Sequence, residues 1–590
     1  MSKKLWHQLP TPLALLELFK FRQVLRDKNL HDTSQLPQKD KLPRPPAPSA
    51  DGHHLMARTA DGSYNDLEHP EMGMVGTRFG RNVPLNDAIV DEANLLKPSP
   101  RLVSSKLLAR EEFKPATILN LLAAAWIQFE THDWFSHGNN QPDHKINVPL
   151  TPDDPWEQEH HQPLAIDKTL DDPTRTGDSN HPATFINHET HWWDASQIYG
   201  SSQERIDELR SHVDGKMQIG KDGLLPIDPT TGIDRVGNPG TWWLAMGLLH
   251  TLFVKEHNVV CDHLKREYPD WNDDQLFNHA RLIIAALTAK IHTVEWTPAI
   301  LPHPATKISL HANWWGILGP DFKRIFGRIG DSEILSGIVG SSTDHHSAPY
   351  YLTEEFTSVY RMHPLVRDEY EFHSIKTGKL IQTNTLFDLF GKQARLLMES
   401  IPMADLFYSF GLMHPGAVTL HNYPHFLRKL VKENGDAFDL AAVDILRDRE
   451  RGVPRYNRFR ELLGRGRVKS FEDITSNPVW AKELREVYNN DVDSVDLMVG
   501  LYAEDLPEGF GFSDTAFRVF ILMASRRLKS DRFFTKDYRA EVYTQFGLDW
   551  IENNTMLTVL RRHYPELAPA HRGIDNAFAP WGVLMHSSGA

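Results

Sequence analysis

Three short segments carry side chains whose types and spacing suit chemistry. Gln128 and His132 lie four residues apart at the end of an Ala-rich apolar stretch. On a helix both leave the same face, and an amide beside an imidazole can hold a small polar ligand. Asp133 leaves a different face and is free to ligate something behind that helix. Thr190, Asp194 and Ser196, with the carbonyl of Trp192, place oxygen donors at every second residue. In an extended loop alternate residues face one side, and an all-oxygen set suits a hard cation such as calcium. Tyr360 and His363 are three apart, so a helix would stack one above the other. A histidine ligating haem iron there would set the tyrosine beside the porphyrin, where it could be oxidised to a radical. Taken singly, each segment also fits a plain reading: a satisfied core histidine, an Asp/Ser turn, a helix with a buried tyrosine. LLHTLFVKEHN at 248–258 lacks the four-residue spacing of a zinc helix and reads as a packed core helix.

The elements that must position these groups are mainly helices. Apolar residues at spacings of three and four run through 116–135, 242–266, 275–296, 393–412, 422–433 and 515–534. Strand-like alternation is scarce. Residues 51–100, 138–182 and 214–240 are polar and irregular, with one hairpin predicted at Asp222-Gly223. The N-terminal stretch reads as a short amphipathic helix packed on the body rather than a secretory signal, with contact at a membrane surface as the alternative. Residues 36–50 are proline-rich and read as an extended connector. We therefore expect residues 1–57 to form a helix and connector, and residues 58–590 one large, mainly α domain with long ordered loops and little β.

Composition narrows the function. The 590 residues include 64 Lys+Arg against 78 Asp+Glu, a net charge of −14, which argues against wholesale nucleic-acid binding. The single cysteine, Cys261, excludes an internal disulfide or a Cys-rich metal site. Histidine is abundant, at 31 residues, which makes a metal or acid–base site worth seeking. No run of about 18 uncharged apolar residues occurs, so no bilayer-spanning segment is expected. A cytoplasmic location, or one peripheral to a membrane, follows as the expectation.

Together these segments resemble the animal-type haem peroxidase superfamily, and within it the fatty-acid α-dioxygenases. The superfamily marks are LHTLFVKEHN, the Gln128-to-Asp133 segment, the Thr190–Ser196 loop and VDILRDRERGVPRYN at 443–457. More specific to the α-dioxygenases are RTADGSYND at 58–66, WIQFETHDW at 126–134, AKIHTVEWT at 289–297, LTEEFTSVYRMH at 352–363 and ASRRLKSDRFFT at 524–535. The resemblance implies His363 as proximal haem ligand, His132 as distal histidine with Gln128 beside it, and Asp444 and Arg447 near the haem. It implies calcium on Asp133, Thr190, Trp192 (by its carbonyl), Asp194 and Ser196. It makes Tyr360 the radical site. His292, Thr297 and one of Arg526 and Arg527, preferably Arg527, become a clamp on the substrate carboxylate. Two departures stand out. Asp444 replaces the asparagine usual beside the proximal histidine, and Thr297 precedes Pro298, which disfavours helical backbone at Thr297.

The implied cofactors are non-covalent haem b and Ca2+; the partners are a long-chain fatty acid, O2 and an activating peroxide. The implied reaction removes hydrogen from C2 and adds O2, giving a 2-hydroperoxy acid that can decarboxylate to an aldehyde one carbon shorter. A general haem peroxidase acting on halide or phenols is the main alternative, since it would share the iron site; a catalytically silent haem- or lipid-binding protein is a second. Arg527 and His292 discriminate against the first, because a peroxidase needs no carboxylate clamp at the end of an apolar channel; Tyr360, His363 and His132 together argue against the second.

Overall fold

The computed structural model describes residues 5–178, 180–431 and 435–584. Eight helices matter for the site: α1 (Thr11–Lys28), α2 (Leu121–Trp134), α3 (Leu244–Glu267), α4 (Asp273–Ile291), α5 (Pro304–Trp315), α6 (Glu354–Val359), α7 (Leu440–Glu450) and α8 (Asp514–Ser530). β-structure is confined, among the described residues, to three antiparallel pairs, such as Glu369–His373 with Leu380–Thr385, in which Tyr370 faces Asn384.

Local sequence explains the helix limits. Asn272 and Gln275 form a capping box at the start of α4, with Asp273 and Asp274 in its first turn. Asp439 accepts the N–H groups of Ala441 and Ala442 to open α7, and Thr353 and Ser513 cap α6 and α8 in the same way. α2 is apolar nearly all round and sits in the middle of the core, against α3. α3 in turn packs on α4, and α6 on α8.

The N-terminal helix packs on the body rather than standing apart from it. Ala14, Leu18 and Leu25 of α1 are buried in the same hydrophobic core as residues up to Trp581. α1 packs on α5 and α8, and Arg22 and Arg26 reach Glu333 at 3.3 and 3.1 Å. The proline-rich stretch is extended, and is tied down by Lys39 N–H to the Thr174 carbonyl and by the Tyr64 hydroxyl to the Pro46 carbonyl.

Two helix expectations also change. The 393–412 run is two helices, Lys392–Ser400 and Met403–Leu412, broken at Pro402. Most of 422–433 is not α-helical. Pro424 is followed by a single turn at Phe426–Arg428 and a strand at Leu430–Val431 that pairs with Ala437–Phe438; residues 432 and 433 lie outside those described. At Asp222-Gly223 the chain makes a turn closed by Gly220 N–H to the Leu224 carbonyl, without paired strands. Among the described residues no helix is long and apolar enough to cross a membrane.

Candidate active site

Tyr360 stands in the wall between two cavities. One, about 260 Å3, is lined by Gln128, His132, Trp243, Met362, His363 and apolar residues that include Leu386 and Phe390. The other, about 430 Å3, is lined by His292, Thr297, Phe520 and a sleeve of apolar side chains reaching Leu15 and Phe19 of α1. Tyr360 lines both.

The expectation that Tyr360 and His363 share a helix is corrected. α6 ends at Val359, Tyr360 is its C-terminal cap at φ −86°, ψ 5°, and a separate single turn starts at His363. Pro364 lacks the N–H and the freedom to continue α6. The two side chains nevertheless reach one cavity, because the bend at Arg361 and Met362 is held by ion pairs. Arg361 bonds Asp444 at 2.8 Å and Asp448 at 3.2 Å.

His363 Nδ1 lies 2.7 Å from Asp444 Oδ2, which also accepts the Tyr423 hydroxyl at 2.8 Å. Burial alone would raise the Asp444 carboxyl, but the His363 charge and hydrogen bond, with Arg361 and Tyr423, hold it at about 2. The carboxylate therefore takes the Nδ1–H and leaves Nε2 as a free ligand atom. Arg447 behaves otherwise than expected. Its guanidinium is taken by Glu450 one turn on and by the Asp167 carbonyl, and it does not line the cavity.

Opposite, Gln128 is pinned by Trp243 Nε1–H on its carbonyl oxygen at 2.7 Å and approaches His132 Nε2 at 3.5 Å. Burial lowers His132 to about 4. It is thus a neutral base at physiological pH rather than the group titrating near neutrality that its type alone suggests.

Behind α2, Asp133 Oδ1 accepts both the Ser196 N–H at 2.5 Å and its hydroxyl at 3.0 Å. Asp133 Oδ2, Asp194 Oδ1 and Thr190 Oγ1 are buried without a hydrogen-bond partner. Burial and the Asp194 charge push Asp133 well above the usual carboxylate range, and burial also raises Asp194 against the pull of Arg281. Two buried carboxylates with orphan oxygens beside a hydroxyl form a set that a divalent cation would satisfy. Among the described residues no three His, Cys, Asp or Glu gather as a metal site, so hydroxyls and a carbonyl must complete any shell here. The loop is fixed by close packing: Trp192 donates to the Gly62 carbonyl at 2.9 Å, and a Cβ on Gly73 would meet the Trp192 ring at 2.6 Å.

At the apolar cavity, Trp126 Nε1–H points at His292 Nδ1 from 3.3 Å, which fixes the tautomer with the proton on Nε2. Burial and the Arg527 charge keep His292 neutral. Thr297 is helical, at φ −64°, ψ −43°, despite Pro298. The preceding turn, His292–Trp296, is a π-turn in which Thr297 N–H reaches the His292 carbonyl, and this wider spacing makes room for the proline ring.

Arg526 and Arg527 differ in their terminal nitrogens, although each has a buried, unpartnered Nε. Arg526 is engaged by the carbonyls of Ala348 and Pro349, both at 2.8 Å. Arg527 does not pair with Asp531, which binds Arg58 and Asn65 instead. Its guanidinium lies over Trp134 at 4.2 Å and Trp193 at 4.4 Å, with Nε and Nη2 unpartnered. The same two indoles meet the His292 ring edge-on at 5.1 and 5.2 Å. Trp134, Trp193 and Glu130, which bonds the Trp193 N–H at 2.7 Å, went unnoticed in the sequence. Only the Glu130 signal was visible there, as a charge inside an apolar helix.

The family model for animal haem peroxidases matches residues 57–574, and the chain belongs to that family. It is 39% identical to alpha-dioxygenase PIOX of Oryza sativa subsp. japonica, over 98% of this chain and 94% of that protein. The pea (Pisum sativum) protein of the same name is 40% identical, over 98% and 89%. Among solved structures, a Tyr-to-Phe variant of Oryza sativa fatty acid alpha-dioxygenase with palmitic acid superimposes with a TM-score of 0.89 at 37% identity, covering 98% and 94% of the two chains.

Proposed function

We infer that this protein is a haem-dependent fatty-acid α-dioxygenase. The observation that carries this is Tyr360 in the wall shared by a cavity lined by His132 and His363 and an apolar cavity lined by His292 and Thr297. The relatives named alpha-dioxygenase, one of them solved with palmitic acid, support the substrate class. A general peroxidase is the weaker reading, because it gives the apolar sleeve and the unpartnered Arg527 no task.

His363 would hold haem b through Nε2, with Asp444 setting its basicity. When bound, haem supplies the one-electron oxidant once a peroxide has activated it. Neutral His132 takes the peroxide proton and can return it. Tyr360 is kept a neutral phenol by burial, so it gives up an electron and a proton together. His292 Nε2–H and Arg527 hold the substrate carboxylate; Thr297 joins them if its hydroxyl leaves the His292 carbonyl, to which it now donates at 2.8 Å. The acyl tail fills the sleeve, at about 0.8 kcal/mol per buried methylene before ordering costs. The phenoxyl oxygen takes one hydrogen from C2 and O2 adds to the carbon radical. The resulting peroxyl takes a hydrogen from Tyr360, giving the 2-hydroperoxy acid and restoring the radical. Position alone selects C2 among many methylenes.

Incubation with palmitate and O2 should yield 2-hydroperoxypalmitate and the aldehyde one carbon shorter by mass spectrometry. Oxygen inserted elsewhere, or dye oxidation without any fatty-acid product, would sink this reading. A calcium ion between Asp133 and Asp194 would fix α2 and so His132. Asp194→Ala should lose the bound calcium, measured by elemental analysis, and most oxygenation with it; full activity with no metal in the parent protein would remove calcium from the account.

A further inference from the structure

We propose that Glu130 is a positioning residue of the carboxylate clamp, acting through the indole of Trp193. The proposal rests on the reading that Arg527 grips the substrate carboxylate. Glu130 is fully buried on α2, and its Oε2 accepts the Trp193 Nε1–H at 2.7 Å. That indole presents its face to Arg527, with the guanidinium carbon 4.4 Å from the ring centroid, and meets His292 at 5.2 Å. It also packs edge-on against Trp134 at 5.7 Å and 89°, the second ring under Arg527. One hydrogen bond thus fixes a ring that touches both clamp residues.

Two features separate this from incidental packing. Glu130 Oε1 is buried with no partner, so the carboxyl carries a desolvation cost that an apolar residue at this position would not. An acceptor on an indole N–H also raises the electron density of the ring and strengthens its attraction for a cation lying on its face. Burial raises the carboxyl, against the pull of the Trp193 hydrogen bond and the Arg527 charge.

The test compares E130Q, E130L and W193F by kcat and KM for palmitate, with the Soret band, dye peroxidation and bound calcium measured alongside. E130Q keeps an oxygen for the indole N–H and should stay within about twofold of the parent KM. E130L, and W193F, which keeps a ring but has no N–H, should each raise KM about tenfold, and the double variant no further. Dye oxidation, haem and calcium should not move. A parent-like KM in both single variants overturns the proposal, as does a joint fall in dye oxidation and palmitate turnover, which would mark a general structural role. Should the parent itself turn over palmitate and methyl palmitate equally, the clamp reading fails, an outcome visible without any variant.

Discussion

Tyr360→Phe is expected to keep the fold and a normal Soret band and to lose palmitate oxygenation by about a thousandfold or more. The substitution removes one phenolic oxygen. No hydrogen bond of that oxygen is given up, and the ring keeps its contacts with Trp134 at 5.0 Å, Phe356 at 4.7 Å and Phe520 at 4.4 Å. Stability should therefore change little. What is lost is the one hydroxyl, among the described residues, that lines both cavities and so could shuttle hydrogen between the oxidising side and C2. Oxidation of a small reducing dye, which needs only the cavity of His132 and His363, should survive. Oxygen uptake measured by electrode decides it: a parent-like rate in the Phe variant would place the radical on another residue.

Arg527→Ala is the second large effect. A guanidinium holds a carboxylate through two parallel charge-assisted hydrogen bonds, each contributing about 1.5–3 kcal/mol. Losing the pair should cut kcat/KM for palmitate by about a hundred- to ten-thousandfold. Arg527 is the proposed gripping residue because its Nε and Nη2 are both unpartnered, whereas the Nη2 of Arg526 already has carbonyl partners and only its Nε is left over. Methyl palmitate should be a poor substrate for the parent and little affected by the substitution. The Soret band reports on the other cavity and should stay normal. If the Ala variant retains the parent preference for acid over ester, Arg527 is not the clamp.

Much of this site was readable from spacing, and the unreadable part has physical reasons. Gln128 and His132 share a face because α2 is a regular helix, where the i, i+4 rule holds. Tyr360 and His363 failed the same rule because Pro364 and the Arg361 ion pairs break the chain between them. They still share a cavity, so the right pairing came with the wrong geometry. Thr297 shows the reverse: the bar on helical backbone before proline was sound for an α-helix, but the π-turn over His292–Trp296 supplies the extra space. Family pattern put an arginine at 526 or 527 and preferred Arg527 without settling it, since adjacent positions on a helix diverge by about 100° and only the packed neighbours tell them apart. Arg447 was misplaced for a similar cause: its partner Glu450 was in view, but the Asp167 carbonyl comes from 280 residues away. The Trp134–Trp193 cage joins two segments about sixty residues apart, and no local pattern announces it.

The proline-rich stretch at 36–50 looks like a natural place to trim the chain for expression or to attach a tag. The packing of α1 argues against it. Leu15, Leu18, Phe19 and Arg22 line the same cavity as Tyr360 and His292, so a chain cut at residue 57 would lose one side of that apolar cavity and open Tyr360 to solvent. Proteolytic nicking in this stretch during purification would have the same consequence once α1 dissociated, and the preparation would keep its haem colour while its fatty-acid turnover fell. Intact mass is therefore a better gauge of active enzyme here than absorbance.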